Sequence, residues 1–436
     1  MAGSRRLPMT LRAYRVVSSA MGPLTSAWLA YRTKRGKENP ERLTERRGET
    51  EFERPAGPLI WVHGASVGEL LAIQPLVEQL RERDFNVLIT SGTVTSANLA
   101  RDRFPQDVIH QFIPLDTPRF VAQFLNSWHP DLALFTESDI WPNLIMAASK
   151  RRIPMIIVNG RVSERSFRRW RSFHGTAKAL LGRFELCLAQ SALDANRFQQ
   201  LGAQQVDVTG NLKLDSPAPP IDPASLAALK GAIGDRPVIA ATSTHPGEEI
   251  VMIETHRRLA PAFPGLLTII VPRHPDRGRE IYNLAERAGQ APALRSQRQL
   301  PGSHTQIYIA DTMGELGLIY SLAPVVLVGG SLVEHGGQNP IEPVKLGAAV
   351  VHGPHVENFA EIYTALDASR GAAQVENLNE LINCIGHWLK NPTNRQAVTD
   401  SAQKTVERLG GALERTITVL EPYLLQLRIE YRPADA

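Results

Sequence analysis

The chain has 436 residues, 43% of them apolar and 21% charged, enough to bury two or three cores without disulfides or a structural metal. Its two cysteines, Cys187 and Cys384, exclude a disulfide scaffold and a cysteine-based zinc site. The net charge is +4, but residues 1–37 carry eight Arg and Lys side chains and no acid, so the rest of the chain is net negative. The basic excess belongs to a short arm, which argues against a nucleic-acid-binding body.

That arm comes first. Arg5, Arg6, Arg12 and Arg15 precede an uncharged run, Val16 to Tyr31, and Arg32, Lys34, Arg35 and Lys37 follow. As a helix the run reaches about 24 Å, short of the ~30 Å hydrocarbon core, and Gly22-Pro23 interrupts it. A basic arm bearing Trp28 and Tyr31 reads as an interfacial membrane anchor. A cleavable signal and a helix packed on the body are the alternatives, and the positive charge after the run opposes export.

From residue 58, short β-rich runs alternate with amphipathic stretches. The expected strands are Pro58–Val62, Asn86–Ile89, Val108–Ile113, Leu132–Phe135, Met155–Val158, Glu185–Ala189 and Val206–Thr209. Between them, patterns such as Glu69–Arg83 place Leu70, Ile73, Leu76, Val77 and Leu80 at helical spacing. Four prolines between Asp215 and Pro223 break the alternation. It restarts with Pro237–Ala241, Leu266–Val271, Gln306–Ala310, Val325–Val328 and Ala348–Val351, and ends in helices. The expectation is an α/β protein: an arm over 1–50, a first domain over 51–214, a linker over 215–236 and a second domain over 237–436. Two doubly wound parallel sheets would face a cleft, with ligands beyond the carboxyl ends of the strands.

Several strand-to-helix loops carry chemistry. In His63-Gly-Ala-Ser-Val-Gly-Glu69, Ser66 suits an N-cap and Glu69 falls in the first helical turn, where it is either a base or a dipole-satisfying acid. The spacing fits neither a Rossmann fingerprint nor a Walker A loop. Glu137 opens Glu-Ser-Asp-Ile-Trp-Pro-Asn143 at a strand end, where a charge belongs to a site or a network. Arg161 and Arg165 follow the fifth strand, and Arg165, Arg168, Arg169 and Arg171 form either a solvated face or a patch for acidic headgroups. Lys213 precedes the hinge. In the second half, Arg273 suits a phosphate, the backbone N–H groups of Gly336 and Gly337 suit an anion, and Glu342 suits ribose hydroxyls. A nucleotide fits these pieces. No catalytic metal is expected, since Glu137-Ser-Asp139 is a weak motif and His245-Pro-Gly-Glu-Glu249 lacks a second histidine.

In this order the motifs resemble the 3-deoxy-D-manno-octulosonic acid (Kdo) transferases of Gram-negative lipid A assembly. The resemblance runs through His63–Glu69, Glu137–Asn143, Asn159–Ser166, Gly210–Asp215, Ser243–Glu249, Pro272–Pro275, Asp311–Leu316 and Gly329–Pro343. It implies a GT-B fold with a membrane-associated N-terminal helix, and an inverting, metal-independent transfer that needs no cofactor. The donor would be CMP-Kdo and the acceptor lipid IVA, at the cytoplasmic face of the inner membrane. The family's proton acceptor maps to Glu69 and its transition-state side chains to Glu137 and Lys213. Its CMP contacts map to Pro272 and Arg273, to Met313, Gly314 and Glu315, and to Asn339, Pro340, Ile341 and Glu342. Ser138-Asp139 departs from the Thr-Glu of many relatives, which bears on acceptor fit. The competing readings are a GT-B-like sugar-nucleotide 2-epimerase and a membrane-bound nucleotide-sensing adaptor without turnover.

Overall fold

In the computed structural model, which describes residues 7–431, each apolar run read as a strand forms one. The first seven are β1 (Leu59–His63), β2 (Asn86–Ser91), β3 (Ile109–Phe112), β4 (Leu132–Thr136), β5 (Met155–Gly160), β6 (Leu186–Ala189) and β7 (Val206–Val208). The others are β8 (Val238–Thr244), β9 (Leu267–Pro272), β10 (Pro292–Leu294), β11 (Ile307–Ile309), β12 (Val325–Val328), β13 (Ala349–His352) and β14 (Ala372–Gln374). The three-residue strands β10 and β14 were not expected. They lie at sheet edges, too short to leave a periodic signal.

All pairings are parallel, in the orders β3-β2-β1-β4-β5-β6-β7 and β10-β11-β9-β8-β12-β13-β14. Helices cover both faces, so central strands such as β1, β4 and β12 are buried along their whole length. In β1, Leu59 and Trp61 join one core with Phe124, Trp128 and Phe135. Ile60 and Val62 join the other with Leu70, Leu76 and Leu80. The strand's period of two divides one run between two cores.

Among the described residues, the chain up to Ser216 and the chain from Gly410 onward make one compact unit, and Pro217–Leu409 makes the second. This departs from the expected boundaries in three places. The helix Ala412–Glu430 belongs to the first unit, not the second. Its Ile417, Leu420, Leu424 and Leu427 extend the core under β1, and Asp215 caps its start by accepting from Gly411 N (2.7 Å) and Leu413 N (2.6 Å). The expected linker contains a helix, Pro223–Ile233, because Asp222 caps it through Ser225 N (2.8 Å) and Pro223 suits the first turn.

The arm, too, is built into the first unit. Arg5 and Arg6 lie outside the described residues. The helix Met9–Ala20 buries Leu11 (1% exposed) in the core, donates Tyr14 Oη to Asp116 at 2.9 Å, and meets Asn143 through Ser18 at 2.9 Å. Beyond the helix Thr25–Lys34, Glu38 and Arg46 are buried as an ion pair at 2.9 Å, with Arg32 on the other Glu38 oxygen at 2.7 Å. The opposite face leaves Val16, Val17, Met21, Leu24, Trp28 and Tyr31 exposed. Among the described residues, no helix is long and apolar enough to cross a membrane.

Candidate active site

In the first sheet, chain order reverses between β1 and β4, and ligands of doubly wound sheets gather at such a switch point. Glu69 follows β1 and Glu137 follows β4, so both leave the carboxyl ends of the two switch strands. Ser66 caps the helix Val67–Arg81, and the Glu69 carboxylate folds back over that turn. It accepts from Ala65 N (2.8 Å), Ser66 Oγ (2.9 Å) and Thr136 Oγ1 (2.9 Å). The capping role is present, and it leaves room for the other. The capping bonds hold the carboxylate in one place, as a positioned base requires. Burial, and then the charge of Glu137, push its pKa above the ordinary carboxylate value, against the three hydrogen bonds that lower it.

Glu137 sits at φ +55°, and its carboxylate pairs with Lys213 Nζ at 3.1 Å. Lys213 lies in a short 3₁₀ turn after β7. Asn159, at the end of β5, fixes that turn by accepting from Leu212 N at 3.0 Å, and Asn211 accepts from Lys213 N at 3.0 Å. Three of the expected catalytic residues thus come together: Glu137 touches Lys213 and perturbs Glu69.

The second sheet has its switch point between β8 and β12. Pro272 ends β9, and Arg273 stands exposed beyond it, without an ion-pair partner among the described residues. Met313 is 69% exposed and Gly314 turns at φ +81°. Glu315 anchors that loop through Arg295 (2.7 Å) and the Thr312 hydroxyl. Asn339 accepts from Ile341 N (3.1 Å) at the start of the short helix Ile341–Lys345 and reaches Glu342 at 3.2 Å, while Pro340 and Ile341 are buried.

The anion site expected at Gly336 and Gly337 is not built that way. Gly337 N donates to Gly330 O (2.8 Å), and a Cβ on Gly336 would lie 2.6 Å from Asn358 Nδ2, so these glycines serve packing. The real amide cradle is at Gly330–Leu332, and it is full. Buried Glu248 accepts there from Gly330 N (2.7 Å), Ser331 N (3.1 Å) and Leu332 N (3.0 Å), and also from His245 N (2.9 Å).

Residues 41–216 match the family described as 3-deoxy-D-manno-octulosonic-acid transferase (kdotransferase). A "Probable 3-deoxy-D-manno-octulosonic acid transferase, mitochondrial" of Arabidopsis thaliana is 35% identical over 92% of this chain and 93% of its own length. The chain belongs to the Kdo transferases. The 3-deoxy-D-manno-octulosonic acid transferase of Haemophilus influenzae is 33% identical, covering 88% of this chain and 92% of that one. The UDP-GlcNAc 2-epimerase of Neisseria meningitidis has a TM-score of 0.59 over 84% of this chain and all of that one. At 14% identity, that likeness speaks for the GT-B fold alone.

Sequence reading missed the side chains that hold this Kdo transferase's site together. Fully buried His63 bonds Thr90 Oγ1 through Nδ1 and Asp139 through Nε2, both at 2.9 Å. Trp141 Nε1 also donates to Asp139, at 3.0 Å. Burial alone would raise the Asp139 pKa, but the bonds from His63 and Trp141 hold it below the ordinary value. The pair ties the Glu137 loop to the strand that carries the Glu69 loop. A histidine ending an apolar strand was the only signal for it.

Proposed function

We propose that the chain transfers Kdo from CMP-Kdo to lipid IVA, with inversion and without a metal, using Glu69 as the base. The observation that carries this reading is the Glu69 carboxylate, fixed by three donors and made more basic by burial. An acceptor hydroxyl is a poor nucleophile at neutral pH, and a positioned base helps by about 10²–10⁴-fold. The hydroxyl proton passes to Glu69 as its oxygen bonds to the anomeric carbon of Kdo. The bond from that carbon to the phosphate oxygen breaks, and CMP leaves with the electron pair. Glu137 raises the basicity of Glu69, and Lys213 pairs with the Glu137 carboxylate. Arg273 and the 313–315 and 339–342 loops are the donor contacts.

The test is product analysis with CMP-Kdo, with and without lipid IVA. A Kdo-bearing lipid should form only with acceptor, and EDTA should leave the rate intact. A sugar product formed without acceptor would favour the epimerase. Nucleotide binding without turnover would favour the adaptor. Loss on chelation, restored by Mg²⁺, would reject the metal-free account.

The reading includes attachment at the cytoplasmic face of the inner membrane. It is supported by the exposed apolar row from Val16 to Tyr31, flanked by Arg12, Arg15, Lys34 and Arg35. Arg165, Arg168, Arg169 and Arg171 are exposed on the helix Glu164–Ser172, where they suit lipid phosphates. Deleting the arm would be a poor test, because Leu11 and Tyr14 also hold the fold. Replacing Val17, Leu24 and Trp28 by serine changes only the outward face. That variant should leave vesicles containing anionic lipid in a flotation assay, and equal flotation would place the anchor elsewhere.

A further inference from the structure

Three histidines meet at the carboxyl edge of the second sheet. His245 follows β8, His274 follows β9 and His335 lies in the loop after β12. These strands are neighbours in the order β9-β8-β12, and the β8–β12 boundary is the switch point. The rings of His245 and His335 stack with centroids 3.7 Å apart, and His274 meets His245 edge-on at 6.3 Å. Among the described residues no group of three or more His, Cys, Asp or Glu is arranged to hold a metal ion, and this cluster is no exception.

Its hydrogen bonding uses one nitrogen of His245. His245 is only 7% exposed. An amide nitrogen donates and does not accept, so Gln338 Nε2, at 3.2 Å from His245 Nε2, puts the proton of the neutral ring on Nδ1. Nδ1 has no hydrogen-bond partner among the described residues. Burial, and then the neighbouring His335, His274, Arg273 and Arg277, pull the His245 pKa down to about 4. The ring is therefore a neutral donor in a field of positive charge.

The charge nearby is unbalanced. Arg277 is matched by Glu249 at 2.6 Å and Glu280 at 3.3 Å, and Glu248 is enclosed by four backbone amides. Arg273 has no such match. The amide cradle at Gly330–Leu332 is already filled by Glu248, so it is not what meets an incoming anion here.

We propose that the stacked His245–His335 pair, with Arg273, is the anion seat of the donor, taking its phosphate or its sugar-acid carboxylate. This rests on the reading of the second unit as the CMP-Kdo site. His245 Nδ1 supplies the directed bond, His335 closes over it, and Arg273 supplies the charge.

The test is calorimetric titration of the full chain with CMP-Kdo, CMP and uncharged cytidine. The variants are His245→Phe, which keeps the stack and removes the donor, and His335→Ala at an exposed position that folding tolerates. Both should weaken CMP-Kdo binding, His245→Phe by about 10- to 100-fold. If CMP weakens equally, the seat holds the phosphate. If CMP is unchanged, it holds the carboxylate. Unchanged affinity for both anionic ligands, or an equal loss for cytidine, overturns the proposal. Failure of the unaltered chain to bind either nucleotide would instead overturn the donor-site reading itself.

Discussion

Glu69→Gln should lower Kdo transfer by about 10²–10⁴-fold while leaving the fold as stable as before or more so. The amide oxygen still accepts from Ala65 N and Thr136, and the amide nitrogen donates to Ser66 Oγ, so the capping turn keeps its bonds. Only the base is lost. The sign of the stability effect follows from the raised pKa. A carboxyl with a raised folded-state pKa stabilises the fold below its unfolded pKa, and that contribution is lost as pH rises through the folded pKa. At neutral pH the ionised group is thus a cost that the amide avoids. The same shift sets the acid limb of kcat/KM above 4.5, the ordinary value for this carboxyl. Glu137→Gln removes a charge that raises it, so its limb should move to lower pH. Turnover by Glu69→Gln near that of the unaltered chain would exclude Glu69 as the base. An unmoved limb in Glu137→Gln would show that the two carboxylates do not act on each other.

Glu38→Ala should cost about 3–5 kcal/mol, a fall in Tm of about 10 °C for a unit of this size. Arg46 is buried and donates to Glu38 (2.9 Å), Ile113 O (3.1 Å) and Gly92 O (2.6 Å). Burial lowers its pKa and Glu38 opposes that, so removing the acid leaves an uncompensated cation in the interior. The double change Glu38→Ala with Arg46→Met removes both charges and should recover most of the loss. Thermal unfolding of the three proteins decides it. A single-variant loss below about 1 kcal/mol would place the pair with weak surface ion pairs.

These two sites differ in how far the sequence foretold them. Ser66 and Glu69 stand three apart before an apolar helical pattern, a local signal that needs no tertiary knowledge. The strands were legible for the same reason: a fully covered parallel strand is a continuous apolar run. The Glu38–Arg46 pair was hidden inside an arm read through its net charge, because composition does not reveal which charge is buried. Glu248 was equally hidden. It follows a glycine and opens a helix like any exposed acid, and three of its four donors stand about 80 residues further on, at Gly330, Ser331 and Leu332. The helix Ala412–Glu430 was assigned to the second domain because it follows that domain in the chain. Contacts distant in sequence, from Asp215 to Gly411 and Leu413 and from Leu420 and Leu424 to the core under β1, return it to the first.

That return sets the order of biosynthesis. A ribosome finishes the whole of Pro217–Leu409 before it makes the helix that completes the first unit. Until then the underside of the first sheet lacks Ile417, Leu420, Leu424 and Leu427, and a strip of apolar surface stays wet. The first unit is therefore the earlier to be translated and the later to be sealed, while the second can mature as an insert within it. A fragment ending at Ser216 would carry that strip exposed for good. Supplying residues 410–431 as a separate peptide is the natural way to cover it.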